Sequence, residues 1–142
     1  MHITEGIITG SDAVMYTGAG IALVGCGVWR MKRFVNEFPD KKPLLGMGGA
    51  LIFFISLIPI PAFTGTCSHP CGTPLIGILL GPMIGFALTG VSLLLQAAFF
   101  AHGGFGTWGA KVVALGFFGC FFGWLAFRFA RMLCLRIFAS GL

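Results

Sequence analysis

The chain has 142 residues, of which 57% are hydrophobic and only 9% charged, with a net charge of +5 and a mean hydropathy of +0.98. A soluble domain carries about 25% charged residues, so a water-facing globule is excluded, and so much apolar surface with so little charge excludes disorder. Nucleic acid binding is also set aside, because most of the basic residues lie near the ends of apolar runs, where they orient a membrane protein. What remains is an all-α, polytopic transmembrane helix bundle: one membrane domain over residues 1–142, embedded in a lipid bilayer, with about four spans at roughly 20 residues each.

The amino terminus reads MHITEG and has no Lys or Arg before Arg30, which argues against a cleaved secretory signal. The first apolar run covers residues 13–29 and contains Gly18, Gly20, Gly25 and Gly27, a poor helix in water but acceptable against neighbours in lipid. A polar segment, 30–43, carries five basic residues against Glu37 and Asp40. The second run, 44–62, ends at Pro59 and Pro61, which lack a backbone donor and bias the preceding residue away from helix. An uncharged loop, 63–73, follows. The third run, 74–101, is interrupted by Gly81-Pro82 and predicts one kinked or tilted helix. Gly77, Gly81 and Gly85 recur every four residues, as do Gly119 and Gly123 in the fourth run, 110–133; such stripes of small residues suit helix contacts in lipid.

The five basic residues between the first two runs place that connection in the cytoplasm. The chain is then a multi-pass protein of the cell membrane, with its amino terminus and the 63–73 loop on the exterior. Four spans also put Arg128, Arg131 and Arg136 outside, against the positive-inside trend; the first connection carries more charge and sits nearer the first helix, so it takes precedence.

Three histidines are present: His2, His69 and His102. With a free amino terminus, the Met1 amine, the His2 backbone nitrogen and His2 Nδ1 close successive five- and six-membered chelate rings on one metal. This makes residues 1–10 a candidate chelating segment. A fourth nitrogen, such as one from His69, completes a square plane, which suits Ni(II) or Cu(II) and is conceivable for low-spin Co(II). Zn(II) prefers a tetrahedron, and magnesium and calcium prefer oxygen. The competing reading of His2 is an incidental residue in a frayed terminus. His69 shares its loop with Pro70, Gly72 and Thr73, which suit a rigid turn.

Cys67 and Cys71 flank His69. They offer two thiolates and an imidazole for Cu(I) or Zn(II), or more simply a small disulfide or two unlinked thiols. Cys26, Cys120 and Cys134 read as buried small hydrophobes. Gln96 lies inside an apolar run, so its amide needs partners and should face the bundle. Glu5, Ser68, Gln96 and His102 are candidates to support a metal from outside its ligand shell, with interfacial or solvated roles as the alternatives for Glu5 and His102. The arginines near the end read as interfacial anchors. No nucleotide loop, nucleophile elbow or HExxH motif is present, and no carboxylate sits in an apolar run to couple protons. No enzyme activity, catalytic residue or organic cofactor is therefore expected.

Four segments occur in order: MHITEG at 1–6, IPIPAFTGTCSHPCGT at 58–73, LLGP at 79–82 and LLLQAAFFAHGG at 93–104. Together they resemble the CbiM/NikM family, the membrane substrate-binding components of energy-coupling factor transporters for cobalt and nickel, over residues 1 to about 125. The resemblance implies a helix bundle that captures Co(II) or Ni(II) as transported substrate, bound by Met1, His2 and His69. It implies a transmembrane coupling subunit and cytoplasmic ATPase subunits as partners, which would hydrolyse the ATP. A small accessory membrane subunit, or a chain supplying further helices, is implied as well, because family members are generally longer. Lys111, in GAK at 109–111, stands where the family usually has asparagine, and Cys71 where it usually has threonine.

The expected function is thus substrate capture for ATP-driven uptake of cobalt or nickel. The alternatives are a non-transporting membrane assembly or sensor subunit, suggested by the short chain and its small-residue helix faces, and a copper or zinc carrier using Cys67, His69 and Cys71.

Overall fold

The computed structural model describes residues 8, 10–61, 67–100 and 104–140, with the side chains of 67, 68 and 136–140 left aside. Helix α1, Ser11–Glu37, runs past the apolar stretch and through the basic segment expected to be a loop. Its residues there are good helix formers, and no breaker occurs before Pro39. A single 3₁₀ turn, Pro39–Lys41, leads into α2, Lys42–Leu57. The connection after α2 contains two short strands, β1 Ile60–Pro61 and β2 Cys67–Ser68, which pair antiparallel with Ile60 opposite Ser68. Both prolines at the end of the second run therefore act as expected: Ile58 is already extended.

The third run departs from expectation. It is not one kinked helix but two, α3 Thr73–Leu80 and α4 Pro82–Phe100, folded back on each other at Gly81. A Cβ placed on Gly85 would lie 3.6 Å from the backbone nitrogen of Gly77, whereas eight residues of continuous helix separate two such positions by about 12 Å. Gly81 makes this reversal with φ of 87°, a conformation that glycine adopts without steric cost. The four-residue spacing of Gly77, Gly81 and Gly85 thus serves two purposes. Gly77 and Gly85 meet Cys120, and Gly81 turns the chain.

The last stretch contains α5, Trp108–Lys111, a π-helical segment, Val112–Gly119, and α6, Cys120–Ser140. α1, α4 and Phe105–Leu135 are each long and apolar enough to cross a membrane. α2, with 16 residues, spans about 24 Å at 1.5 Å per residue. Three full-length spans and the shorter α2 are roughly the four expected, with α3 returning the chain between α2 and α4.

Specific contacts set the helix directions. Gly27 lies against Met83 and Ala87, and Gly90 against Val24, so α1 and α4 are antiparallel. Gly48 meets Leu88, Ser92 Oγ donates to the Gly49 carbonyl at 3.2 Å, and Gln96 reaches Phe53, so α2 and α4 run the same way. The start of α1 and the 58–72 connection consequently share one end of the bundle. From that end the connection dips inward: a Cβ on Gly72 would lie 3.4 Å from Cα of Ile52, more than a turn inside the end of α2.

Glycine packing does much of the joining, as expected where lipid supplies no hydrophobic drive between helices. Gly119 lies against Thr73, and Gly123 against Pro74. Gly109 abuts the Tyr16–Thr17 backbone, while Trp108 Nε1 donates to the Gly90 carbonyl at 3.1 Å. Cys120 is fully buried and donates to the Thr73 carbonyl at 3.2 Å. Cys26 and Cys134 are exposed on the bundle exterior, which corrects their assignment as buried hydrophobes. Outward-facing apolar residues are unremarkable in lipid, so nothing in their local sequence distinguishes them from Cys120. Arg33 caps the Trp29 ring and Arg128 the Trp124 ring, each at 5.1 Å, arrangements suited to an aqueous interface.

Candidate metal site

A small cavity of about 30 Å³ is lined by Ser56, His69, Cys71, Leu93, Gln96, Lys111 and Leu115. Space of this order suits an ion or a water molecule and is far below the several hundred Å³ of an organic-ligand pocket. The lining comes from α2, the 58–72 connection, α4 and the α5/π-helical junction. These elements converge at the end of the bundle from which α1 starts.

Each polar group is held by a local feature. Gln96 is 1% exposed. Its Nε2 donates to the Phe53 carbonyl at 3.1 Å and to Ser56 Oγ at 2.6 Å. The Ser56 hydroxyl donates in turn to the Ile52 carbonyl at 2.5 Å. The amide is therefore oriented, with both its donors engaged by α2. Both ring nitrogens of His69 are sealed from solvent although the residue as a whole is half-buried. The β1–β2 pairing and the inward position of Gly72 carry His69 into the bundle.

Cys71 is a free thiol whose Sγ donates to the His69 carbonyl at 3.7 Å. Burial pushes this thiol up from its ordinary range, which keeps it protonated near neutral pH. A protonated thiol is a poor metal ligand. Cys71→Ser is accordingly expected to leave Co(II) and Ni(II) affinity within about threefold of the parent, as measured by equilibrium dialysis of the purified protein.

Of the residues singled out in the sequence, His69, Cys71 and Gln96 come together here. Met1, His2, Glu5 and His102 lie outside the described residues, as do the side chains of Cys67 and Ser68. Among the described residues, no three His, Cys, Asp or Glu side chains cluster to hold an ion.

Sequence reasoning missed Ser56 as a cavity residue and noted Lys111 only as a departure from a family pattern. Lys111 is 5% exposed and lines the cavity. The signal for it was available: it is the only charged residue between Lys42 and Arg128, and an isolated ionisable group in an apolar run marks a functional position. The π-helical segment that begins at the next residue carried no sequence signal. Such insertions often accompany functional sites, and this one brings Leu115 into the cavity wall.

Comparison with known proteins agrees with this architecture. Residues 2–142 match the CbiM family, described as the cobalt uptake substrate-specific transmembrane region. The chain is 42% identical over its whole length to the cobalt transport protein CbiM of Geobacter sulfurreducens, covering 42% of that protein. It is 37% identical to the cobalt transport protein CbiM of Sorangium cellulosum, with 99% of this chain and 63% of the relative aligned. Two crystal structures are similar, one of a truncated transition metal transporter and one of a transition metal transporter. Each has a TM-score of 0.78 over 96% of this chain, at 27% and 29% identity, covering 62% and 58% of those chains. The chain thus spans between two fifths and two thirds of the length of these relatives. With a family match across nearly all of its residues and the corresponding helical fold, this chain belongs to the CbiM family.

Proposed function

We propose that the chain captures Co(II) or Ni(II) as the membrane substrate-binding part of an uptake system. The observation that carries this reading is the convergence of His69, Gln96 and Ser56 on one ion-sized cavity, at the end of the bundle where the amino-terminal segment enters α1. The Met1 amine, the His2 amide and His2 Nδ1 supply three nitrogens to the ion, and His69 supplies the fourth. Gln96 and Ser56 form the polar wall behind it. A square plane of nitrogens selects d⁸ Ni(II) and low-spin Co(II) over tetrahedral Zn(II) by geometry. Glu5, Ser68 and His102 support the site from outside the ligand shell.

The amino terminus and the 63–73 loop face the exterior of the cell membrane. Transport is driven by a transmembrane coupling subunit and cytoplasmic ATPase subunits. A small accessory membrane subunit is a further partner of this assembly.

Metal content and affinity of the purified protein, measured across Co, Ni, Cu and Zn, test this reading. One Co(II) or Ni(II) per chain is expected, with planar-site d–d absorption for nickel. Stoichiometric Zn(II) that is lost on replacing Cys67 and Cys71 by serine would instead establish the thiolate carrier.

A further inference from the structure

α1 and α2 both pack along α4 but scarcely touch each other. The gap between them is a groove on the outside of the bundle, comprising two adjoining cavities of about 400 and 440 Å³ that share Met31, Leu45, Gly46 and Leu88. Its floor is α4, through Ala87, Leu88 and Val91. Gly46 keeps one wall low, and a Cβ added there would meet nothing within 4 Å.

The groove is not apolar throughout. At the end near the α1–α2 connection it is lined by Lys32 and Asn36. Lys42 lies three and four residues before Leu45 and Gly46, and so on the same face of α2. Both lysines are exposed. The segment 30–42 carries five basic residues against Glu37 and Asp40, so the mouth of the groove is positive.

Size and charge together define the occupant. A membrane-spanning helix is about 10 Å across with its side chains. An extended acyl chain is thinner than a helix and fits an apolar slot of this size. Basic pockets between transmembrane helices at the membrane surface recognise anionic headgroups, at about 1 kcal/mol per Lys or Arg. We propose that the α1–α2 groove is a binding site for an anionic phospholipid, with one acyl chain along α4 past Gly46 and the phosphate between Lys32 and Lys42. The site is independent of the metal cavity, which opens at the opposite end of α4.

Native mass spectrometry tests this on the full chain in micelles containing equimolar phosphatidylglycerol and phosphatidylcholine with identical acyl chains. The wild type is expected to retain one phosphatidylglycerol in about tenfold preference to phosphatidylcholine. The double variant K32Q/K42Q should lose that preference while keeping a bound lipid. Gly46→Leu, which fills open space, should lose the bound lipid of either headgroup. Equal retention of the two lipids by the wild type, or undiminished retention by Gly46→Leu, would overturn the proposal. So would efficient cross-linking in membranes from Gly46→Cys to another protein, because it would place a partner's helix in the groove.

Discussion

Replacing His69 by alanine is expected to lower Co(II) and Ni(II) affinity by about 100-fold, or about 2.8 kcal/mol, without preventing membrane insertion. In the proposed site His69 offers an imidazole nitrogen, which no other side chain lining the cavity provides. The side chain sits in the 58–72 connection, not on a helix, so the glycine contacts that join the helices remain. Equilibrium dialysis checks affinity, and circular dichroism with size-exclusion chromatography checks that the bundle persists. Unchanged affinity in a well-folded variant would remove His69 from the ligand set.

Lys111→Met is expected to act in the opposite direction, raising affinity for the divalent ion by at least about tenfold and slowing its release. The methionine keeps the length and packing of the buried stem and removes the positive charge from the cavity wall. Two unit charges 4 Å apart interact by about 4 kcal/mol at an effective dielectric near 20. Lys111 already interacts with another group, and the third of that energy left after such compensation is still worth about tenfold. Lys111→Arg, which retains the charge, should not reproduce the gain. Dissociation rates into a chelator and dialysis affinities report the two effects separately. Weaker binding by Lys111→Met would show that the lysine supports the site instead of opposing the ion.

The residues differ in how openly they announced their places. Gln96 was legible because a buried amide must face partners, and it found them on α2. Gly119 and Gly123 were legible because small residues in lipid mark close approach, and both meet α3. His69 stood out because so few candidate ligands exist in a chain with this little charge.

Gly81 was read as a kink because Gly-Pro interrupts helices in both kinked and hairpin arrangements. Tertiary contact between Gly77 and Gly85 decides between them, and one-dimensional spacing does not carry it. Cys26 and Cys134 were misplaced because the inward and lipid-facing sides of such helices are both apolar, which erases the periodicity that marks burial in soluble proteins. Arg30 to Glu37 were assigned to a loop on polarity alone, although charged residues extend a helix into water without penalty.

The central claim is that the amino terminus itself is a ligand. Its most direct measurement is a paired Co(II) and Ni(II) titration of the protein with a free Met1 amine and of the same protein with two residues placed ahead of Met1. The extension removes the amine from its chelate ring and leaves His2, His69 and the bundle in place. A loss of about 100-fold in affinity, together with disappearance of the planar-site nickel absorption, is the expected result. Equal affinity and identical spectra in the two forms would contradict the chelate.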